Sequence, residues 1–316
     1  MVFSIQGHNA RVLTMNQKVV AIVVTYNSER QIASCLTALE GLARPVVIDN
    51  ASSDETCAVI EQVHPETTLF RNSENLGFAA AVNQGIAASD EPFILLLNPD
   101  AYLVKPIDDL VTRCLMPGIG AAAGRLLDSK GRTQFGFNIR ALPTAMTFMF
   151  ETLGWNRLWP SNPVNRCYRL KGFDDTKEQD VEQPAGAFLM LRRDVLEAVG
   201  GLDEQFRPLW FEDVDLCQRL HNAGHRIRYV PGCMARHEGA HSLKSATLEL
   251  QHVAWYGNLL RFSGKHFSTW VHLWLVLVIL IGVLGRWFWS LTMGSQNERN
   301  SYAKVLRSLV SRDLRQ

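Results

Sequence analysis

The chain of 316 residues lacks several features that would place it in a simple class. Its six cysteines are widely spaced and form no CxxC pair, which argues against a zinc ribbon or a dense disulfide framework and predicts reduced thiols in a cytosolic compartment. Its 32 basic and 31 acidic residues leave no excess of one charge, so no nucleic-acid partner is expected. The polar first residues contain no long apolar run, and we therefore expect no secretory signal peptide.

The short apolar runs are spaced as in an α/β protein. Buried strands are predicted at 19–24, 46–48, 67–71, 93–97, 186–192 and 226–230, the last followed by a turn at 231–232. Helices are predicted at 28–42, 78–88, 193–199 and 213–222, and another is predicted to begin after a cap at Ser52 or Ser53. The segment 125–182 is predicted to form strands and loops around a cleft. This alternation predicts a doubly wound, mostly parallel sheet.

Polar residues follow three of the predicted strands. They are Thr25-Tyr26-Asn27, Asp49-Asn50 and Asn98-Pro99-Asp100. Ligands of doubly wound sheets bind at these carboxyl ends. Asp100, held after a proline, could bind Mg²⁺ or Mn²⁺ beside substrate phosphates. Asn-Pro-Asp is equally good turn chemistry, so the residues alone leave both interpretations open.

Three further segments carry candidate chemistry. Glu212 and Asp213 follow the aromatic pair Trp210-Phe211, which fits either a helix N-terminus or a partly buried general base. His237 is either a metal ligand or an ordinary structural histidine, and His241 could pair with it on a helix. The turn Asn75-Leu76-Gly77-Phe78, with Asn83 on the next helix, could present amides to a phosphate or sugar. Since it matches neither GxGxxG nor GxxxxGK[ST], a dehydrogenase or P-loop enzyme is disfavoured.

The order of these motifs resembles that of the inverting family 2 glycosyltransferases, which have the GT-A fold. The matching segments run from Val19 to Ser242. They are Val-Val-Thr-Tyr-Asn at 23–27, Asp-Asn-Ala-Ser-Ser-Asp at 49–54, Asn-Leu-Gly-Phe-Ala-Ala-Ala-Val-Asn-Gln-Gly at 75–85, Asn-Pro-Asp at 98–100, Pro-Ala-Gly-Ala-Phe at 184–188, Phe-Glu-Asp-Val-Asp at 211–215, and His237.

The resemblance implies a role for each motif. Asp213 would be the catalytic base with Glu212 beside it, and Asp100 and His237 would hold Mg²⁺ or Mn²⁺ against the diphosphate. Trp210 and Gly186 would contact the acceptor. The implied donor-binding residues are Thr25, Tyr26, Asn27, Asp49, Asn50, Asn75, Gly77, Asn83 and Asn98. Asn98 departs from the family pattern, because it replaces the first acid of the DxD-like motif.

The Asn-Pro-Asp form resembles the bacterial rhamnosyltransferase-like branch of the family. That resemblance implies transfer of rhamnose or a related deoxyhexose from a nucleoside-diphosphate sugar to a lipid-linked or polysaccharide acceptor in cell-surface glycan synthesis. Alternatives are a family 2 transferase for galactofuranose, mannose or glucose, and a non-catalytic, membrane-tethered nucleotide- or glycan-binding module that has lost one acid.

A long apolar run near the C-terminus indicates membrane association. The 20 residues from His266 to Gly285 contain no Asp, Glu, Lys or Arg, and a helix of that length covers roughly 30 Å, one hydrocarbon core. Tryptophans lie at both ends, as in interfacial aromatic belts. The run could span the membrane or lie in its plane. A basic amphipathic tail follows, and we expect the protein at the cytoplasmic face of the inner or plasma membrane, where nucleotide sugars are made.

These observations predict four regions. They are an N-terminal extension at 1–17, a GT-A domain at 18–262 with a nucleotide-sugar half at 18–124 and an acceptor half at 125–262, a hydrophobic membrane-associated segment at 266–290, and the basic tail at 291–316.

Overall fold

A computed structural model describes residues 19–239 and 247–310. The predicted N-terminal extension at 1–17, His241 and the last six residues of the tail therefore lie outside the described residues. The strands are β1 (Val19–Thr25), β2 (Arg44–Asp49), β3 (Thr68–Arg71), β4 (Phe93–Leu97), β5 (Ala101–Leu103), β6 (Ile119–Leu127), β7 (Ile139–Arg140), β8 (Gln179–Val181), β9 (Gln183–Pro184), β10 (Phe188–Arg192) and β11 (Arg226–His237).

The helices flank the strands and continue beyond them at the C-terminus. They are α1 (Ile32–Thr37), α2 (Thr56–Val63), α3 (Phe78–Ala87), α4 (Asp108–Cys114), α5 (Ala145–Thr152), α6 (Trp155–Leu158), α7 (Pro163–Tyr168), α8 (Arg193–Val199), α9 (Glu212–Asn222), α10 (Leu248–His266), α11 (Thr269–Thr292) and α12 (Gln296–Val310). The predicted α/β class is confirmed.

One mixed sheet organises the described residues, in the order β3-β2-β1-β4-β10-β6-β11-β5, with β8 also paired to β11. The first four strands are parallel, and β6 is parallel to β11. The residues of β1 and β4 are almost all buried because apolar clusters cover both faces of the sheet. The carboxyl ends of β1, β2 and β4 therefore share one edge.

Strand β10 runs antiparallel to both of its neighbours, β4 and β6. Its orientation brings the segment before it, Gly186–Ala187, to the edge where β4 ends, since Asn98 N–H donates to the Ala187 carbonyl at 3.1 Å. The predicted turn at 231–232 is wrong: β11 continues to His237, with a bulge between Val230 and Met234. That continuation carries His237 to the same edge.

The segment from 125 to 182 is more helical than expected. The prediction of strands and loops for 125–182 is wrong in its middle, where α5, α6 and α7 form. Helix α5 begins at a capping box formed by Thr144 and Thr147, and Asn162 caps α7 with Pro163 at its first position. These local start signals outweigh the irregular apolar pattern of the segment.

The C-terminal helices pack on α5 and on the start of α9. A third apolar cluster joins α5, α9, α10, α11 and α12, and it contains Phe148, Phe211, Phe262 and Ile279. Among the described residues, α11 alone is long and apolar enough to cross a membrane, and 22% of its most apolar stretch is buried. The predicted apolar C-terminal helix is therefore present, and one of its faces is in contact with protein.

Candidate functional site

One part of the candidate site is built on Thr25 and Asp49, at the ends of β1 and β2. Both are buried, and the Thr25 hydroxyl donates to an Asp49 carboxylate oxygen at 2.8 Å. The Ser52 N–H donates to the other oxygen at 2.9 Å. The carboxylate of Asp49 is thus held rigidly at the mouth of the sheet, where oxygens with further lone pairs can still accept from a ligand.

The loop after β1 is fastened to the loop after β2 by side-chain hydrogen bonds. Asn27, which has a φ of 53°, donates its N–H to Ser52 and accepts from the Ser53 N–H through its side-chain oxygen, both at 2.8 Å. The Asn27 side chain is therefore used in shaping the loop. Tyr26 remains 38% exposed, so its ring is available to a base or ribose.

The turn before α3 lies against the same edge. The Asn50 amide donates to the Gly77 carbonyl at 3.1 Å, and Asn75 accepts from the Gly77 N–H at 3.0 Å. Gly77 has a φ of +88°, and a Cβ there would lie 3.3 Å from the Pro208 carbonyl oxygen. Glycine is required by both the conformation and the close approach.

Asp100 and His237 form the core of the candidate cation site. Both are buried, and His237 Nε2 lies 3.3 Å from an Asp100 carboxylate oxygen. Asn98 Nδ2 is 3.4 Å from the same ring nitrogen, and the Gly239 N–H donates to the second Asp100 oxygen at 3.1 Å. Burial raises the pKa of Asp100, but His237 and the backbone amides outweigh it and hold that pKa below its ordinary value.

Gln134 orients the ring of His237 so that Nε2 faces Asp100. Its amide N–H donates to the His237 carbonyl at 2.8 Å, which turns its oxygen toward His237 Nδ1 at 3.0 Å. Nδ1 must then be the donor, and Phe137 stacks on the ring at 5.1 Å. Nε2 is left toward the Asp100 carboxylate, as a lone pair in the neutral ring or as an N–H donor in the imidazolium, and the neutral ring has the orientation of a histidine ligand fixed by a hydrogen bond.

His237 Nε2 and the Asp100 carboxylate oxygen lie 3.3 Å apart, so they can share a proton or, with the ring neutral, a cation. The carboxylate and imidazole fit a divalent ion that completes its shell with diphosphate oxygens and water. No group of three or more His, Cys, Asp or Glu side chains suited to a metal occurs within 19–239 and 247–310. Asp100 and His237 supply two ligands, so a divalent ion with six or more ligands would take the rest from outside this pair.

Glu212 and Asp213 begin α9 in different surroundings. Asp213 is half-buried, and its carboxylate accepts from the Gly186 N–H at 3.2 Å, the Gln183 amide at 3.4 Å and the Val214 N–H at 2.8 Å. Glu212 is buried, and its Oε2 has no hydrogen-bond partner. Burial, with the Asp213 charge adding to it, raises the pKa of Glu212 to about 8. Asp213 is the carboxylate that a substrate can reach.

A single short segment connects the cation site to this acid pair. The Ala187 carbonyl accepts from Asn98, two residues before Asp100, and the neighbouring Gly186 N–H donates to Asp213. A Cβ at Gly186 would lie 3.4 Å from the Asp213 Cβ. The structure therefore brings Asn98, Asp100, His237, Gly186 and Asp213 to one edge of the sheet.

The turn before α9 has an unusual backbone. Trp210 and Phe211 have φ of 73° and 75°, a conformation that costs non-glycine residues of order 1 kcal/mol or more each. Asn258 of α10 is fully buried and donates its amide to the Leu209 and Trp210 carbonyls at 2.9 and 3.1 Å. Sequence reasoning missed Asn258, since a lone asparagine in an apolar helix gives no motif.

The third acid of this motif, Asp215, has a structural role. It is fully buried and pairs with Arg219 at 2.7 Å, Lys265 at 2.8 Å and His266 at 2.7 Å. Burial raises the pKa of Asp215, but these partners hold it below its ordinary value. The C-terminal end of α10 is thereby anchored to the helix that carries Asp213.

Asn83, also predicted to bind the donor, makes its side-chain contacts with the loop after α8. Its amide donates to the Leu202 carbonyl at 2.9 Å and to Glu204 at 2.8 Å, and its oxygen accepts from the Leu202 N–H at 3.0 Å. It also lines an open cavity of about 480 Å³ with Arg193 and Glu197, remote from the acids of the site. These contacts give Asn83 a structural role in joining α3 to the loop after α8.

A family model described as "Glycosyltransferase like family 2" matches residues 16–258. This chain is a family 2 glycosyltransferase. The predicted family membership is confirmed, and the site described above lies wholly within the matched residues.

Two curated relatives are rhamnosyltransferases. The chain is 32% identical over 241 residues to an N-acetylglucosaminyl-diphospho-decaprenol L-rhamnosyltransferase of Mycobacterium tuberculosis, covering 70% of this chain and 76% of that protein. It is 28% identical over 180 residues to the rhamnosyltransferase WbbL of Escherichia coli, covering 56% of this chain and 63% of that protein. The glycosyltransferase is thus rhamnosyltransferase-like, as its motif branch predicted.

Solved structures share the fold at low sequence identity. The mannosyltransferase PcManGT of Pyrobaculum calidifontis, solved with GDP-mannose and Mn²⁺, aligns at a TM-score of 0.52 and 15% identity over 94% of this chain and 82% of that chain. S. aureus TarS aligns at 0.53 and 16% identity over 93% of this chain and 49% of that chain. These likenesses confirm the GT-A fold.

Proposed function

We propose that this glycosyltransferase inverts the anomeric carbon in a single displacement, with Asp213 as base. The half-buried Asp213 carboxylate beside Gly186 is the observation that carries the proposal. It would take the proton of an acceptor hydroxyl as that oxygen attacks the anomeric carbon and the bond to the nucleoside diphosphate breaks. Glu212, buried and protonated at neutral pH, would keep a second negative charge away from the attacking oxygen.

We propose that Thr25, Tyr26, Asn27, Asp49 and Asn50 form the floor of the donor site. Asp49 and Asn50 are rigidly held and buried at the sheet edge, and Tyr26 is exposed above them. The Asn75–Gly77 turn borders the same site, and Trp210 would contact the acceptor.

We propose that the reaction depends on a divalent cation, Mg²⁺ or Mn²⁺, held by Asp100 and His237. Bound there, the ion would neutralise charge that develops on the departing diphosphate. Gln134 would keep His237 in the required tautomer, and Asn98 would contact the ring or the diphosphate in place of the missing acid. Mn²⁺ in the solved mannosyltransferase PcManGT supports a divalent ion.

We propose rhamnose or a related deoxyhexose as the sugar, and a lipid-linked or polysaccharide hydroxyl as the acceptor. The decaprenol-linked acceptor named for the mycobacterial relative supports a lipid-linked acceptor here. Such acceptors lie at a membrane, which agrees with the exposed apolar face of α11. The catalytic domain, proposed to span 18–262, would work at the cytoplasmic face of the inner or plasma membrane, where nucleotide sugars are available.

The experiment is a panel of nucleotide sugars, tested by thermal shift with Mg²⁺ or Mn²⁺ and then by transfer to lipid-linked acceptors. A donor at 100 times its Kd should stabilise the protein by about 2.7 kcal/mol. Asp213→Asn should then remove transfer, by about 10³-fold or more, while donor affinity changes less than about threefold. Normal turnover of Asp213→Asn would refute the base assignment.

Slow donor hydrolysis decides between this proposal and the non-catalytic binding module. A transferase releases some nucleoside diphosphate to water even without acceptor. Donor binding with no release in any metal would favour the module, and Asn98 in place of an acid would then be its cause.

A further inference from the structure

The exposed face of α11 is a continuous apolar stripe. Its members recur at helical spacing and are 38% to 83% exposed. They are Trp270, Leu273, Trp274, Leu277, Ile281 and Phe288. From Trp270 to Phe288 the stripe runs for roughly 27 Å along the helix at 1.5 Å per residue. No Asp, Glu, Lys or Arg interrupts it, because Arg286 lies on the other side.

The opposite face of α11 is docked on the catalytic domain along the same length. Leu275, Ile279 and Val283 are fully buried in the cluster that contains Phe211. At Gly282 the helix is so close to α5 that an added Cβ would lie 2.7 Å from the Thr152 carbonyl oxygen. One turn later, the Arg286 guanidinium donates to the Thr152 and Glu151 carbonyls.

This docking is incompatible with a perpendicular crossing. If α11 crossed the bilayer, the elements packed along it would enter the hydrocarbon as well. Helix α10 carries Glu249, Arg261 and Lys265, and each ionised side chain at the bilayer centre costs about 2.5–3.5 kcal/mol or more. Helix α11 can keep one face packed on protein and bury its apolar stripe in lipid when it lies along the membrane surface.

The excess of positive charge in the C-terminal helices favours an anionic membrane surface. Residues 247–310 contain six Lys or Arg against two Asp or Glu, although the whole chain is only +1. Lys265 and Lys304 are paired with carboxylates and Arg286 with carbonyls of the α5 segment, but the segment as a whole remains net positive. Basic groups near a membrane are drawn to anionic lipid headgroups, at about 1 kcal/mol per group near the surface. The flanking tryptophans are suited to the headgroup level.

We propose that α11 lies in the plane of an anionic membrane, with its apolar stripe in the headgroup–acyl boundary and its other face on the catalytic domain. Only the role of this geometry in catalysis rests on the proposed function. Phe211, which precedes Glu212, packs in the same cluster as α11. In-plane docking therefore holds the base a short distance above the lipid surface, where the hydroxyl of a lipid-linked acceptor would be presented.

The first test is flotation of the full chain with vesicles of 70% phosphatidylcholine and 30% phosphatidylglycerol. Leu277→Glu with Ile281→Glu should reduce the vesicle-bound fraction roughly tenfold or more, because both charges enter the apolar stripe. The matched control, Leu115→Glu with Met116→Glu, changes exposed residues after α4 and should bind like the parent protein. Equal binding by the stripe variant and the parent would overturn the proposal.

The second test distinguishes lying from spanning. Spin labels at Trp270→Cys, Leu277→Cys, Ile281→Cys and Phe288→Cys, with the exposed Cys167 changed to Ser, report depth in the same vesicles. An in-plane helix places all four labels at about 5–10 Å, at the acyl boundary. A spanning helix places the middle pair roughly 10 Å deeper than the outer pair, and that result would overturn the proposal.

Donor hydrolysis without vesicles separates this inference from the proposed function. The stripe variant should hydrolyse donor like the parent protein, and its thermal unfolding should be unchanged, because both side chains point to solvent. If no nucleotide sugar is turned over while the vesicle results hold, the proposed function fails and the in-plane geometry stands. If turnover is present and vesicle binding ignores the stripe, the in-plane geometry fails alone.

Discussion

Replacing Glu212 with Gln should stabilise the protein increasingly as the pH rises. Glu212 is buried without a partner for Oε2, and its pKa is raised to about 8 from an ordinary value of 4.5. Between those two values the unfolded chain ionises while the folded protein keeps its proton. The folded state therefore loses relative stability as the pH rises from about 4.5 to 8. Gln has the same shape and no ionisable group.

The magnitude follows from the two pKa values. Linkage gives a cost of about 1 kcal/mol at pH 5.5, about 3 kcal/mol at pH 7 and about 5 kcal/mol at pH 8.5, at 1.36 kcal/mol per unit. Glu212→Gln removes this cost, apart from a constant offset for the substitution itself. Because other titrating groups are common to both proteins, their difference in stability isolates Glu212.

Thermal unfolding of both proteins at pH 5.5, 7.0 and 8.5 measures the difference. The gain in melting temperature of Glu212→Gln should grow by several degrees across this range, at about 2–4 °C per kcal/mol. The control Glu66→Gln removes an exposed carboxylate and should show no such growth. A difference between Glu212→Gln and the parent that stays constant from pH 5.5 to 8.5 would refute the reasoning, since Glu212 would then be ionised or proton-bound equally in both states.

Four further predictions test the site and the sheet. Asp100→Asn should weaken Mn²⁺-dependent binding of nucleoside diphosphate by about tenfold or more in calorimetric titration, because the substitution removes one charged ligand. An unchanged titration would count against a metal role for Asp100. Asn258→Ala should leave two buried carbonyls unpaired and lower kcat more than donor affinity, whereas equal losses in both would indicate a general folding defect. Asn83→Ala should cost about 1–2 kcal/mol in thermal unfolding and leave donor Kd unchanged, and a raised Kd would restore its donor role. Gly124→Ala should destabilise by about 1–3 kcal/mol or more, because its Cβ would lie 1.9 Å from the Phe188 ring; an unaltered melting temperature would contradict the packing.

Hydrophobic periodicity was sufficient to predict the bounds of some strands and helices. β4 at Phe93–Leu97 and α8 at Arg193–Val199 have the predicted bounds. The helix predicted at 28–42 is shorter in the structure, Ile32–Thr37. Residues 28–31 form a turn before it, in which the Ser28 carbonyl accepts from the Gln31 and Ile32 N–H groups and the Ser28 N–H donates to Thr56, 28 residues distant, at 2.7 Å. Periodicity cannot predict such a contact between two loops.

The residues of the site also fall into a group that the sequence predicted and a group that it did not. Its charged members lie in short motifs, so the sequence predicted that Asp100, His237 and Asp213 belong to one site. The residues that hold them come from elsewhere: Gln134 reaches His237 across 103 positions, and Asn258 reaches Trp210 across 48. Neither lies in a motif, since a supporting amide is defined only by the backbone groups that folding brings to it.

The turn at Trp210-Phe211 and helix α11 are connected through the third apolar cluster. Phe211 has a left-handed backbone and packs with Phe262 at 5.9 Å between ring centres, and Phe262 packs with α11 in the same cluster. A positive φ at a bulky residue persists only where surrounding packing compensates for its cost. Helices α10 and α11 supply that packing, through Asn258 and the apolar contacts. The helix that we place on the membrane is therefore also part of the structure that positions Asp213, and loss of its docking should affect catalysis even for an acceptor free in solution.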